Sequence, residues 1–185
     1  MHFIRIKNNE CYKTNGYRRC WFVTNIDDVF REIKQNLPIL KGLQPRTFDF
    51  ATMYTNIPHE KIFNNIQAAV TEATAYRNSI PHNASLPLLP DPDIIMDHLR
   101  FVVSNTYLCN DESYILQQAI GIPMGTNAAP EIANLTLHHD EATYIDQLIQ
   151  QRDLQSARAH AHTRRYIDDL LLWNTTPPHS DIYGF

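Results

Sequence analysis

The sequence predicts an α+β fold, in which an antiparallel β-sheet is covered by helices on one face. Short segments rich in β-branched, aromatic and aliphatic residues are typical of strands, and two pairs of them flank polar turns as in β-hairpins. Longer segments have apolar residues every three to four positions, which indicates amphipathic helices. The strand-like segments are 47–50, 107–116 and 164–173, and the apolar patterns of the helix-like segments cover 26–37, 62–73, 94–103 and 132–149.

Composition limits the chain to one ordinary domain, or to part of a larger one. Its 185 residues are 43% hydrophobic, which is enough to fill a core. The net charge is -4, from 16 basic and 20 acidic residues, so bulk positive charge does not hold it on nucleic acid. Its three cysteines lack CxxC spacing and favour a reducing compartment.

Targeting signals are not apparent in the sequence. The first residues become charged too early for a signal peptide, and no apolar run approaches the roughly 20 residues of a membrane span. We therefore expect an intracellular protein, nuclear or cytoplasmic, that has no membrane partner.

The first elements follow from local signals. Residues 1–25 show no clear periodicity apart from a strand-like run at 20–23. A helix is predicted to begin after Asn25, a suitable N-cap, and to end at Pro38.

Asp49 lies in the next predicted strand between two phenylalanines, so a carboxylate stands among apolar neighbours. Residues 56–58 then open a helix, because proline is tolerated in a first helical turn. The order of strand, acid, Tyr54 and helix is typical of a functional site. Taken alone, Asp49 is equally well explained as a strand-end acid that accepts hydrogen bonds from backbone donors.

The middle of the chain alternates between loops and regular elements. Four prolines within residues 76–93 predict a loop insertion, and Asp93 is predicted to cap the helix that follows. Residues 107–109 and 114–116 flank a polar turn and predict a hairpin. On the later long helix, His139 is predicted to be a core histidine rather than a ligand.

A loop rich in glycine and proline connects that hairpin to the long helix. Gly121 and Gly125 surround Pro123, and glycine lets a backbone approach a ligand closely because it has no Cβ. The following helix directs its free amides toward the same loop, which suits a phosphate or the edge of a base pair. A purely structural turn is the alternative.

Two adjacent carboxylates, Asp168 and Asp169, interrupt the apolar segment 164–173 where a hairpin would turn. Like charges in a poorly solvated place repel each other, and a divalent cation removes that cost. Mg²⁺ prefers a few carboxylate oxygens together with substrate phosphates. A solvated Asp-Asp turn is the alternative.

Together, and in this order, the three polar stretches resemble the palm of reverse transcriptases. Asp49 with Tyr54 resembles motif A, the segment from Gln118 to Gly125 resembles motif B, and residues 166–169 resemble motif C. The segments 54–58 and 133–135, with Met124 between proline and glycine, are similar to Penelope-like retroelements, relatives of telomerase. The resemblance covers roughly residues 20–173, and the ordered set is far more specific than one motif.

The resemblance implies an RNA-directed DNA polymerase that uses two Mg²⁺ or Mn²⁺ ions, an RNA template with a DNA primer, and deoxynucleoside triphosphates. Asp49, Asp168 and Asp169 would be catalytic and would bind both ions, and Tyr54 would exclude a ribose 2′-hydroxyl. The implied substrate-binding residues are Phe50, through its carbonyl, and Tyr54, Gln118, Gly121, Pro123, Met124 and Gly125.

The same resemblance divides the chain into an N-terminal extension or remnant of the fingers at 1–25, a palm at 26–174 and a truncated tail at 175–185. Fingers and thumb are expected to be largely absent, and only Arg46 lies near the place of the family's triphosphate-binding residues. Two alternatives stay open. One is an inactive palm remnant that binds nucleic acid or a protein partner, and the other is a generic metal-dependent phosphotransferase.

Overall fold

The computed structural model describes residues 1–50, 52–81, 87–109, 114–173 and Tyr183. These residues form helices and small antiparallel sheets, so the α+β class is confirmed. The helices are α1 (His2–Asn15), α2 (Ile26–Leu40), α3 (Met53–Asn56), α4 (His59–Ser79), α5 (Pro92–Ser104), α6 (Ala129–Gln150), α7 (Leu154–Ala159) and a 3₁₀ turn (His160–His162). The strands are β1 (Pro45–Asp49), β2 (Tyr107–Cys109), β3 (Ile115–Gln117), β4 (Arg164–Tyr166) and β5 (Asp169–Trp173).

The chain divides into two compact units. The first, here the sheet unit, comprises Arg5–Ala51 and Asp140–Gly184, and the second, here the helical unit, comprises Met1–Ile4, Thr52–His139 and Phe185. The three-stranded sheet, in the order β1-β5-β4, belongs to the sheet unit, and the β2–β3 hairpin belongs to the helical unit.

The core of the sheet unit lies on one face of β5. Leu170 and Leu172 alternate along the strand and are buried against Trp21, Ile145 of α6 and Ala157 of α7. The segment around Trp21 is held to β4 by two backbone hydrogen bonds of 2.8 Å, Arg165 N–H to Trp21 O and Val23 N–H to Arg165 O. The strand-like run at 20–23 is therefore a single bridge to β4.

The prediction that helices cover only one face of the sheet is wrong. Leu171 and Trp173 line a small cavity together with Val29 and Leu40 of α2, so this face also has a helix alongside it. Helices therefore pack on both faces of the sheet rather than on one, because β5 presents apolar side chains in both directions.

The helical unit is built from α4, α5 and the first part of α6. Ile62, Ile66, Leu99 and Val103 are buried in it, and α4 packs against α5. Asn65 of α4 donates a hydrogen bond of 2.8 Å to the carbonyl of Thr136, which satisfies a buried amide. The β2–β3 hairpin has the predicted position, with Leu108 opposite Leu116, and its turn at 110–113 lies outside the described residues.

Several boundaries differ from the predictions. Residues 2–15 form α1, and α2 continues past Pro38 to Leu40, whose buried side chain anchors the last turn. Proline removes only one helical hydrogen bond, which this anchoring offsets. Asn25 is the N-cap as predicted, accepting from Asp27 N–H at 2.9 Å.

The predicted loop at 76–93 is shorter than expected. Its first residues belong to α4, which ends at Ser79, and α5 begins at Pro92. The N-cap of α5 is Asp91, whose carboxylate accepts a hydrogen bond of 2.8 Å from Asp93 N–H. Asp93, which the sequence predicted as the cap, is therefore the donor in this bond.

His138 rather than His139 is the fully buried histidine of α6. None of the described helices is both long enough and apolar enough to span a membrane.

Candidate active site

Asp49 and Asp169 lie directly opposite each other in the antiparallel pair β1–β5. Side chains in such a pair project from the same face with Cβ atoms about 4.5–5.5 Å apart. Alternation along β5 places this face opposite the buried Leu170 and Leu172, and both aspartates are exposed. The strand register therefore brings two carboxylates together at one end of the sheet, where like charges destabilise each other.

Asp168 lies in the β4–β5 turn, beside this pair. Its carbonyl accepts a hydrogen bond of 3.2 Å from Phe50 N–H, which extends the β1–β5 pairing by one step beyond Asp49. Ile167, which precedes it, has φ 56°. That left-handed conformation is unusual for a β-branched residue and is a local strain. All three predicted acids thus lie at the same end of the sheet.

The donor chemistry at this end of the sheet suits a hard divalent cation, because carboxylate oxygens are the ligands that Mg²⁺ prefers. No ion pair or side-chain hydrogen bond joins these three carboxylates to another described residue. Among the described residues, however, no three His, Cys, Asp or Glu side chains are close enough together to hold a metal ion. The arrangement is a facing pair with a third acid in the adjacent turn, not a preassembled cluster.

A buried ion pair supports the turn that carries Asp168. Arg165 of β4 and Glu141 of α6 are both fully buried, with Arg165 Nε 2.5 Å from Glu141 Oε1. Arg165 Nη1 also donates a hydrogen bond of 2.8 Å to the carbonyl of Ile167. The guanidinium thereby ties the strained turn to α6. Sequence reasoning missed Glu141, because a charged residue in a mixed helix gives no sign that it is buried.

Phe50 follows Asp49 and contributes in two ways. Its side chain packs against the core cluster of Leu170 and Leu172, and its ring meets the ring of Tyr183 edge to face at 4.8 Å. The side chain is therefore structural. A direct contribution of Phe50 to a ligand would come from its backbone, as the sequence prediction assumed.

Apart from Phe50, the predicted substrate-binding residues belong to the helical unit. Gly121 has φ 91°, its N–H donates to Ile57 O at 2.8 Å, and Ile122 N–H donates to Tyr54 O at 2.7 Å. A Cβ on Gly121 would overlap the Tyr54 carbonyl oxygen and lie 3.0 Å from Thr55 Cα. The backbone of Gly121 therefore packs closely against the backbone of Tyr54 and Thr55. This contact agrees with the alternative interpretation of the loop as a structural turn.

The rest of this loop is arranged around a tight turn. Gln118 Nε2 donates a hydrogen bond of 2.9 Å to Ile120 O, and Pro123 is buried. Thr126 Oγ1 donates to Pro123 O at 3.0 Å, and Gly125 between them has φ 93°. Nothing lies within 4 Å of a Cβ built at Gly125, and Met124 is 65% exposed. Met124 and Gly125 therefore form an open tip that is accessible to a ligand.

Comparisons with known proteins give one likeness of fold. The chain is similar to a solved structure of telomerase from Candida albicans, in a complex with a TWJ fragment of telomeric RNA, with a TM-score of 0.52 and 14% identity. The match covers 97% of this chain and 30% of that chain, so the chain spans less than a third of that telomerase's length. No family model and no curated protein matches the sequence. The α+β fold described above is thus one that also occurs within a telomerase.

Proposed function

We propose that this chain is the RNA-directed DNA polymerase domain of a Penelope-like retroelement and adopts the palm fold. The observation that carries the proposal is the β1–β5 register, which places Asp49 opposite Asp169 with Asp168 in the adjoining turn. These are the three acids whose sequence context resembles motifs A and C. The fold likeness to a telomerase supports the same assignment.

Asp49, Asp168 and Asp169 would hold two Mg²⁺ or Mn²⁺ ions, which would activate the primer 3′-hydroxyl and neutralise charge on the triphosphate. The chain's own contribution is to hold these carboxylates at one end of a sheet, with the turn fixed by Arg165. Exposure of Asp49 and Asp169 leaves them accessible to substrate oxygens.

The substrates under this proposal are an RNA template with a DNA primer and deoxynucleoside triphosphates. Tyr54 would discriminate against a ribose 2′-hydroxyl, and the loop from Gln118 to Gly125 would border the nucleotide and the template base. The exposed Met124 and the open space around Gly125 support a role of this tip in contacting a ligand.

Primer extension on an RNA template with Mg²⁺ or Mn²⁺ tests the proposal. We expect extension by the wild-type chain and a loss of at least about a hundredfold in Asp168→Asn, since asparagine is a weaker ligand for the ions that would stabilise transition-state charge. Asp97→Asn, a change of the same chemistry on the exposed surface of α5, is the matched control and should extend normally.

One observation favours a second candidate function, an inactive palm remnant that binds nucleic acid or a protein partner. Within the described part of the chain, no three metal-ligating side chains are assembled. A folded sample that fails to extend any primer with either ion, yet retains RNA in a binding assay, would select the remnant over the polymerase.

A further inference from the structure

The sheet unit contains a polar groove of about 410 Å³ that the proposed polymerase chemistry does not use. Its charged lining consists of four arginines and two acids: Arg5, Arg18, Arg31, Arg164, Asp28 and Glu32. Four positive and two negative charges leave a local excess of +2, whereas the whole chain has a net charge of -4. The groove is therefore locally cationic in an acidic protein.

On one side of the groove, a single carboxylate forms ion pairs with two guanidinium groups. Glu32 Oε2 accepts a hydrogen bond of 2.7 Å from Arg164 Nε, and Glu32 Oε1 lies 3.4 Å from Arg18 Nη2. Arg164 is buried, with only 4% of its side chain exposed. One positive charge is left over in a poorly solvated place, where an uncompensated charge is costly.

The pKa values of Arg18 and Glu32 are consistent with this excess of positive charge. Burial, together with the neighbouring Arg164 guanidinium, lowers the pKa of Arg18 to about 10. Burial would raise the pKa of Glu32, but hydrogen bonds from His162 and Arg164 outweigh it and lower the pKa to about 2. The carboxylate thus stays ionised, and the cationic excess persists across the neutral range.

The arrangement is repeated at the outer part of the groove. Asp28 Oδ2 lies 3.2 Å from Arg5 Nη2, and Asp28 Oδ1 lies 3.1 Å from Arg31 Nη1. Again one carboxylate is shared by two arginines. The side chains of Arg31 and Arg5 are 65% and 38% exposed, so they can turn toward a ligand from solvent.

We propose that this groove binds a phosphate group, carried by a nucleotide or by the backbone of single-stranded nucleic acid. A phosphate dianion, or two phosphodiester charges, matches the excess of +2, and the planar guanidinium fork pairs with phosphate in a bidentate manner. Side-chain amides of Asn9, Gln35 and Asn36 in the same lining can bond to a sugar or a base. The volume falls within the roughly 300–1,000 Å³ of small-molecule sites.

The test measures binding of three probes to the full chain: inorganic phosphate, AMP and a fluorescein-labelled ten-nucleotide oligouridylate. EDTA is present throughout, so that the three aspartates cannot take up phosphate through a metal ion. Calorimetry gives the affinities of phosphate and AMP, and fluorescence anisotropy follows the oligonucleotide. The inference does not depend on polymerase activity.

Arg31→Gln is the test variant because Arg31 lies at the solvent edge of the groove. Arg100→Gln is its matched control, since Arg100 is similarly exposed and pairs with Asp97 at the same i,i+3 spacing in the helical unit. We expect Arg31→Gln to weaken binding about tenfold, the loss typical of one charged hydrogen bond. Its oligonucleotide salt slope should also fall by about 1, with Arg100→Gln unchanged.

The probes separate the two sources of phosphate. Saturation by AMP with no competition from the oligonucleotide assigns a nucleotide site, and tighter oligonucleotide binding that free phosphate displaces assigns the nucleic-acid backbone. Either result supports the groove as a phosphate site when Arg31→Gln weakens that binding and Arg100→Gln does not. The inference is overturned if folded protein binds none of the probes in EDTA, or if both variants bind as the wild type does.

Discussion

At the scale of single residues, the facing aspartates predict opposite effects on activity and on stability. Like charges directly opposite in an antiparallel pair destabilise a sheet by roughly 0.2–1 kcal/mol. Asp49→Asn removes the repulsion from Asp169 at nearly constant size, so we expect the free energy of unfolding to rise by about 0.5 kcal/mol while primer extension is lost. Urea unfolding by circular dichroism measures the first effect.

The control for this prediction is Asp97→Asn, which changes an exposed carboxylate that pairs with Arg100 rather than facing another acid. It should leave stability unchanged or slightly lower. A loss of stability in Asp49→Asn of more than about 1 kcal/mol would show that the carboxylates attract a bound counter-charge instead of repelling each other. Wild-type protein should also melt at a higher temperature in Mg²⁺, and Asp49→Asn should gain less from the ion.

A second residue-scale prediction separates backbone strain from lack of space. Gly121 and Gly42 both have positive φ, 91° and 94°, but only Gly121 has backbone atoms where a Cβ would go. Gly42→Ala should cost about 1–2 kcal/mol, the penalty for the left-handed conformation alone. Gly121→Ala should cost at least about 1 kcal/mol more, because the Tyr54 segment has to move.

Chemical denaturation of both variants measures this difference. Equal losses for Gly42→Ala and Gly121→Ala would mean that the Tyr54 segment yields without cost. If the loop also holds substrate, Gly121→Ala should raise the KM for nucleotides, whereas Gly42→Ala should not.

At the scale of elements, the buried Arg165–Glu141 pair is expected to hold α6 to β4. Removing one partner leaves a buried charge without compensation, and such changes cost about 3–5 kcal/mol. We therefore expect Glu141→Gln to lower the free energy of unfolding by about that amount. Asp146→Asn is the control on the same helix, because Asp146 pairs with Arg19 but is 40% exposed.

Because the Asp146 carboxylate remains in contact with solvent, Asp146→Asn should lower the free energy of unfolding by less than Glu141→Gln does. Equal losses in Glu141→Gln and Asp146→Asn would show that burial does not strengthen the first pair. The double variant Glu141→Leu/Arg165→Met should recover much of the loss, since apolar residues of similar volume often replace buried ion pairs without penalty.

Elements with a strong local signal were predictable from the sequence, and elements that depend on distant contacts were not. The β4–β5 and β2–β3 hairpins and the cap at Asn25 lie within one or two residues of their predicted places, because turn chemistry and strand patterns are local. Helix α6 was predicted with one apolar stripe, yet it buries residues around much of its circumference, including Thr136 and Glu141. A sequence pattern shows only the apolar part of such burial.

In the candidate site, too, the features with a local sequence signal were predictable and those that depend on distant contacts were not. The neighbourhood of Asp49, Asp168 and Asp169 was predicted from motif order, and strand register brings these residues to one end of the sheet. The ion pair that supports the turn was not predicted, because nothing in the local sequence relates Glu141 to Arg165. Gly121 was predicted to approach a ligand, whereas the atoms that exclude its Cβ are those of its own chain.

At the scale of the whole molecule, stability is expected to fall in mildly acidic solution. His160 is stacked on Trp21, with ring centroids 5.3 Å apart, and burial lowers its pKa to about 4 from a usual 6.5. Above pH 6.5 the histidine is neutral in both folded and unfolded chains, so it has no effect. Below pH 6.5 the unfolded chain binds a proton that the folded chain binds only near pH 4.

Stability should therefore decrease between pH 6.5 and pH 4, by no more than about 3 kcal/mol from this residue. Thermal melts followed by tryptophan fluorescence across this range measure the decrease. His160→Gln cannot take up the proton and should flatten the profile, whereas His98→Gln, on the exposed surface of α5, should leave it intact. A profile that stays steep in His160→Gln would assign the acid sensitivity to another group.

The β2–β3 hairpin has a practical consequence for work with this protein. Leu108, Ile115 and Leu116 are each more than half exposed, and within the described part of the chain the hairpin is a sheet of only two strands. Exposed apolar strands with open edges are templates for aggregation. Self-association at high protein concentration would mimic or mask ligand binding, so assays belong at low concentration with light scattering as a check. Ile115→Lys would place a charge on this surface and improve solubility.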